Sequence, residues 1–214
     1  MFSMASRRPV EKLSRRAGVE LGLKGARQVG GKSGRIRRPY PPGQQGRTGQ
    51  GRRRKRDSDY LLQLREKQKV QWFYGVAAGQ LARYFDASRR RRGATGEELL
   101  RQLEQRLDNV VYRLGFAGTR AQARQFVSHG HVRVNGERVN RSSYEVRPGE
   151  TISIKPGSSI EPLVRDAISL GFKVPEWLAS DQQALTGKVA HRPQRGEIDV
   201  PADENRVVEF FAKY

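Results

Sequence analysis

The chain has no cysteine, which excludes disulfides, thiolate chemistry and cysteine-ligated zinc at one stroke. It is poor in acid: 22 Asp+Glu stand against 42 Lys+Arg in 214 residues, a formal charge of +20. It also has no apolar run near the ~20 residues needed to cross a bilayer, in keeping with a mean hydropathy of -0.78. Such a charge balance says nothing about fold, but it draws polyanions, and with membrane set aside the expected partner is nucleic acid. The opening residues MFSMASRRPVEKLSRR are Arg- and Ser-rich yet have no apolar core, so they are expected to be a binding arm rather than a secretory signal.

The basicity is concentrated at one end. Residues 1–56 carry +15 of the +20, with Glu11 and Glu20 as their only acids. They hold ten glycines and only eight of the 48 Leu, Ile, Val and Phe residues. They therefore predict a loop-rich basic arm that orders on its partner, with one short helix around Val10–Ala17. The tract Arg52-Arg53-Arg54-Lys55-Arg56 ends the arm and suits phosphate binding.

Helical periodicity follows. Leu61, Leu62, Leu64, Val70, Trp72 and Phe73 predict an amphipathic helix from Ser58 to Tyr74, stopped by Gly75, and a second helix runs from Ala77 to about Ala87. The Arg89–Arg92 block and Gly93 read as a linker. Thr95 with Glu98 three residues on reads as a capping box, opening one helix that continues to Leu114 and closes at Gly115. A second box, Thr119 to Gln122, opens a shorter helix ending at Gly130. The period then falls to two. His131-Val132-Arg133-Val134, the turn Asn135-Gly136 and Glu137-Arg138-Val139 predict a β-hairpin, with Tyr144–Val146 and Thr151–Ile154 completing a small sheet. A further helix is expected from Ile160 to Leu170, then an apolar anchor at Pro175–Leu178, a short strand near Gly187–Ala190 and a final amphipathic segment, 205–214.

The expected fold class is α+β: a mainly helical lobe with a loop-rich basic N-terminal arm, plus a small helix-helix-β-hairpin domain. The expected boundaries are 1–56 for the arm, 57–93 for the helical lobe, closed by 161–214, and 94–160 for the helix-helix-hairpin domain.

Catalytic patterns are missing. Gly30-Gly31-Lys32-Ser33 resembles the end of a phosphate-binding P-loop, but Ala26 stands where that motif needs glycine. His129 and His131 form an H-x-H with no third ligand close in sequence, and no nucleophile has a visible base. The positive signal is binding. In the helix-helix-hairpin unit the leucines and valines face inward, so Arg113, Arg120, Arg124, Arg133 and Arg138 are expected outside as one patch. The backbone donors near Thr119 add an anion site. An RNA-modifying enzyme carrying this module would need a catalytic domain for which 161–214 is too short. A general nucleic-acid condenser would need only the arm.

Arg106–Phe116, Thr119–Arg124 and His129–Gly136 resemble the small-subunit ribosomal protein S4 family of bacteria. The resemblance extends to Pro41-Pro42-Gly43-Gln44, Ser58-Asp59-Tyr60, Leu64–Lys69, Tyr74-Gly75-Val76 and Trp177-Leu178. The helix-helix-hairpin part alone is also similar to modules of pseudouridine synthases, RNA methyltransferases and tyrosyl-tRNA synthetases; the flanking motifs favour the ribosomal family. The resemblance implies a non-enzymatic structural constituent of the small subunit. Such a protein binds a junction in the 5′ domain of small-subunit rRNA, nucleates assembly of the subunit body, contacts ribosomal protein S5 and other small-subunit proteins, and contributes to translational accuracy. It implies a cytoplasmic, ribosome-bound protein without cofactor or membrane partner, and it puts Arg52–Arg56 near the mRNA entry channel.

The expected RNA-binding residues are, in the arm, Arg7, Arg8, Lys12, Arg15, Arg16, Lys24, Arg37, Arg38, Tyr40, Arg47, Arg52, Arg53, Arg54, Lys55 and Arg56. On the first long helix they are Arg65, Lys67 and Lys69. In the second domain they are Arg113, Thr119, Arg120, Arg124, His129, His131, Arg133 and Arg138. Zinc-bearing members place four cysteines where this chain has Glu11, Ser14, Gln28 and Ser33. No metal is therefore expected, and the arm should be held by RNA and by packing of Leu13, Val19, Leu21 and Leu23.

Overall fold

The computed structural model describes residues 9–48 and 57–213, which divide into two compact units, residues 1–98 with 200–214 and residues 99–199. Arg7, Arg8 and the tract Arg52–Arg56 lie outside the described residues.

The arm is more helical than its glycine content suggests. α1 (Val10–Ala17) is followed by three single-turn helices, α2 (Gly25–Val29), α3 (Gly34–Arg37) and α4 (Gln44–Thr48). Leu13 and Leu21 are buried, while Val19 and Leu23 are partly covered. α5 (Asp59–Tyr74) starts where the Ser58 hydroxyl accepts from the Leu61 N–H, and it ends at Gly75 in the left-handed conformation. α6 (Ala78–Arg89) follows. α11 (Glu204–Lys213) returns from the far end of the chain to pack along α5, burying Val207 and Phe210. Gln63 Nε2 donates to Glu209 Oε2 at 2.8 Å across that pair.

The single helix expected from Thr95 to Leu114 is two: α7 (Thr95–Glu104) and α8 (Leu107–Arg113). The break has a non-local cause. Segment 144–146 runs beside residues 105–107, so the Leu107 N–H donates to the Tyr144 carbonyl at 2.9 Å and the Val146 N–H to the Gln105 carbonyl at 2.8 Å. Those bonds take the backbone out of helix without glycine or proline. Tyr144–Val146 is correspondingly not a strand of the sheet but a single bridge, Glu145 to Arg106. At the other expected box α7 already includes Thr95, and the Glu98 carboxylate bonds Arg91 at 2.7 Å.

α9 (Arg120–Ser128) is capped as expected, with the Thr119 hydroxyl accepting from the Gln122 N–H at 3.1 Å. The Gln122 side chain returns the bond one residue earlier, to the Gly118 N–H. The sheet comprises β1 (Val132–Val134), β2 (Glu137–Arg138), β3 (Thr151–Ile154), β4 (Leu178–Asp181) and β5 (Thr186–Val189), antiparallel in the order β2-β1-β3-β5-β4. Asn135 and Gly136 make the β1–β2 turn with φ of 51° and 85°. Strand alternation sends Val132, Val134, Ile152, Ile154 and Val189 into one core with Leu107, Val110, Val111 and Leu114 of the α8 segment, Phe126 and Val127 of α9, and Trp177.

The closure of the helical lobe by 161–214 is corrected here. α10 (Glu161–Ser169), β4 and β5 belong to the second unit because β5 pairs with β3, and only 200–214 join the first. Helices and a separate antiparallel sheet make the protein α+β.

Candidate nucleic-acid interface

Five arginines of the second unit were expected on one outer patch, and the structure divides them. Glu104 is 1% exposed and Asp108 3%, so each carboxylate needs charge and hydrogen bonds at hand. Arg113 meets Glu104 through two bonds, Nε to Oε2 at 3.0 Å and Nη2 to Oε1 at 2.7 Å, and Asn109 donates to the same carboxylate at 2.7 Å. Arg120 Nε then donates to Asn109 Oδ1 at 2.8 Å, with its guanidinium 4.4 Å from the Tyr112 ring centre. Asp108 accepts from Arg106 at 2.7 and 3.0 Å and from Arg124 at 2.8 and 3.0 Å. Arg113, Arg120 and Arg124 are therefore half-buried members of an internal polar network joining α8 and α9, not freely solvated cations. Sequence reasoning missed Glu104, Arg106, Asp108 and Asn109; the available signal was the pair Asp108-Asn109 between Leu107 and the apolar Val110-Val111.

Arg133 and Arg138 are different. They are directly opposed across β1 and β2, on the sheet face away from the core, and neither forms an ion pair among the described residues. Like charges directly opposite each other destabilise a sheet unless something neutralises them. The Arg138 guanidinium lies where a side chain on Gly130 would have to go, so the missing Cβ at the end of α9 is what makes room for it. Thr151, Ser153 and Lys188 continue the same polar face, and Lys188 is a cation the sequence reading passed over. His131 Nδ1 is 2.8 Å from the Ser158 hydroxyl, while His129 is exposed. The Thr119 hydroxyl is used in capping α9.

In the first unit, Lys12, Arg16, Lys24, Arg37, Arg38 and Arg47 are exposed. Arg15 is held against Tyr40: its Nε donates to the Tyr40 carbonyl at 3.0 Å and its guanidinium lies 4.9 Å from that ring centre. Arg27 and Lys32, not among the expected residues, belong to the same cationic surface. On α5, Arg65 pairs with Asp57 and Lys69 with Glu66. Lys67 turns to the α11 side, its Nζ 4.1 Å from the Phe210 ring centre, where partial burial lowers its pKa below the usual lysine value.

Of the positions that the resemblance matches to cysteines of zinc-bearing members, Glu11, Ser14 and Ser33 have described side chains, and none is a thiolate. Glu11 Oε2 accepts from the Gly34 N–H at 2.5 Å, Ser14 is buried, and the Ser33 hydroxyl caps α3 by accepting from the Ile36 N–H. A serine hydroxyl is a poor zinc donor, and that of Ser33 is already used as a helix cap.

Two family models cover most of the chain. One described as "Ribosomal protein S4/S9 N-terminal domain" matches residues 5–104, and one described as "S4 domain" matches 105–152. The small ribosomal subunit protein uS4 of Natranaerobius thermophilus is 49% identical over 207 residues, 96% of this chain and 97% of its own length. The chain belongs to the ribosomal protein S4 family. Small ribosomal subunit protein uS4 of Thermus thermophilus is 45% identical over 207 residues, and uS4A of Symbiobacterium thermophilum 45% over 206, each across 96% of this chain and 97% of the relative. S4 membership makes the protein ribosomal and not an enzyme. The S4 domain match begins at Gln105, where α7 gives way to α8, and takes in the buried network except for Glu104, together with the Arg133–Arg138 pair. No helix among the described residues is long and apolar enough to cross a membrane.

Proposed function

We propose that this protein is a primary binder of small-subunit rRNA, recognising a folded junction in the 5′ domain and nucleating assembly of the subunit body. The ribosomal role follows from the family. The observation that carries the RNA reading is the opposed, unneutralised Arg133–Arg138 pair on the exposed sheet face. A sheet keeps two such charges side by side at a cost, and a phosphate between them repays it, because guanidinium forks take phosphate oxygens in pairs. The buried network ties α8 to α9, and a surface fixed in this way answers to RNA shape rather than to charge alone.

The finer assignments rest on the family resemblance. They are contact with ribosomal protein S5 and other small-subunit proteins, a contribution to translational accuracy, residence on the cytoplasmic ribosome, and a place for Arg52–Arg56 near the mRNA entry channel.

The test is a filter-binding titration in Mg²⁺ against the 5′ domain of small-subunit rRNA, with a scrambled-junction RNA of equal length as competitor. Strong preference for the folded junction is expected, and Arg133→Ala/Arg138→Ala should reduce it. Equal affinity for both RNAs would leave a general nucleic-acid condenser and overturn the reading.

A further inference from the structure

Between α1, α2 and α3 the first unit has an open surface pocket of about 520 Å³. Six cations line it: Lys12, Arg15, Arg27, Lys32, Arg37 and Arg38. Glu11 is the only acid in the lining, and no aromatic side chain is part of it. The volume falls in the range of a small-molecule site, and the charged side chains around it are all cationic but for Glu11. Lys12, Lys32, Arg37 and Arg38 form no ion pair among the described residues. Crowding these charges without counter-charge is unfavourable. An occupant of high negative charge density offsets that cost, and the lack of an aromatic platform removes the usual means of holding a base.

We propose that residues 9–38 form a built site for a compact cluster of phosphates, two or more held close together, and that Glu11 is its organiser. The single acid does not belong there as a ligand contact. Its Oε2 takes the Gly34 N–H at 2.5 Å and its Oε1 lies 4.0 Å from Arg27 Nη1, so one carboxylate ties α1 to both α2 and α3. A Cβ on Gly34 would collide with that oxygen, so glycine at 34 is required by the close approach. Arg15, anchored on the Tyr40 and Pro41 carbonyls, supplies a fixed wall. At a position where the resemblance puts a cysteine, a hydrogen-bonded carboxylate thus makes the cross-link between segments. The phosphates have two possible sources, a sharply turned RNA backbone or a free oligophosphate. Only the first rests on the rRNA-binding reading.

Calorimetric titration of the full chain with inorganic pyrophosphate, at constant ionic strength, tests the site. One saturable equivalent is expected, with orthophosphate weaker by about tenfold or more. Arg37→Ala/Arg38→Ala should weaken pyrophosphate by about tenfold, whereas Arg165→Ala/Lys173→Ala, an equal charge change in the second unit, should alter it by less than about twofold. Equal losses in both double variants, or binding without saturation, would overturn the site. Glu11→Ala removes a negative charge yet should weaken pyrophosphate, and Glu11→Gln, whose amide oxygen can still accept the Gly34 N–H, should retain it; tighter binding by the alanine variant would overturn the organising role. Competition between pyrophosphate and 5′-domain RNA assigns the site to RNA backbone, and RNA binding that ignores both pyrophosphate and Arg37→Ala/Arg38→Ala assigns it to free oligophosphate. The rRNA reading itself fails only if the unsubstituted protein does not distinguish folded from scrambled junction.

Discussion

Asp108 holds two arginines at once. Its side chain is 4% exposed and that of Arg106 3%, so removing the carboxylate takes a hydrogen-bonded charge partner away from a buried guanidinium. Asp108→Ala is expected to destabilise the protein by about 3–5 kcal/mol. Asp57→Ala, which breaks the exposed pair with Arg65, should cost about 0–1 kcal/mol. Urea unfolding of the two variants decides the matter, and similar losses would mean the network carries no particular weight. Tyr144 offers a second test. Its hydroxyl donates to Glu150 Oε1 at 2.8 Å, and this bond, with some burial and the nearby negative charge, raises the phenol pKa above 10.0. The folded protein therefore holds that proton more tightly than the unfolded chain does. The resulting stabilisation is complete below the ordinary tyrosine value and is lost as pH climbs through the raised one. Tyr144→Phe should lose about 1 kcal/mol at neutral pH and show a shallower alkaline decline in urea midpoint. An unchanged alkaline slope would show that the Tyr144–Glu150 bond does not form.

At the scale of elements, the α5–α11 pair closes the first unit across more than 140 residues of chain. Phe210 is 8% exposed, lies 6.0 Å from the Tyr60 ring centre and has Lys67 over its face. Phe210→Ala is expected to cost about 3–5 kcal/mol. Leu163→Ala, at a residue 48% exposed on α10, should stay within about 0.5 kcal/mol. Thermal melts of both variants would test the contrast, and a Phe210→Ala loss as small as that of Leu163→Ala would mean α11 is not a structural closure. Elements with local stop and start signals were legible in the sequence: Ser58 and Gly75 bracket α5, Thr119 opens α9, and the Asn135-Gly136 turn announces the hairpin. What depends on distant chain was not. The break after α7 is made by backbone from 144–146, and β5 joins β3 through pairing that no periodicity reveals. The site divides the same way. Alternation along β1 identifies Arg133 as outward, whereas nothing local to Arg113 tells that Glu104 is buried beside it, and the Asp108-Asn109 pair among apolar residues does not name Arg124 as its partner.

For the whole molecule, the uneven charge sets how affinity answers to salt. The arm carries +15 of the +20, so neutralising phosphates should supply most of the binding energy while the rigid second unit supplies discrimination. If on the order of six to ten phosphates are neutralised, affinity for the 5′-domain RNA should fall by about 10³-fold or more between 50 and 200 mM salt, taking the duplex-DNA relation as a guide. Two kinds of substitution then separate on a plot of log affinity against log salt. Replacing one arm cation such as Lys12 with alanine should reduce the slope by about one and weaken folded and scrambled RNA alike. Asp108→Asn leaves every cation in place but loosens the support of Arg124 and α9. It should lower the preference for the folded junction while leaving the slope unchanged. If instead both variants shifted the slope equally and neither touched the preference, shape recognition would play no part. The protein would then bind RNA as a disordered basic peptide of the same charge does.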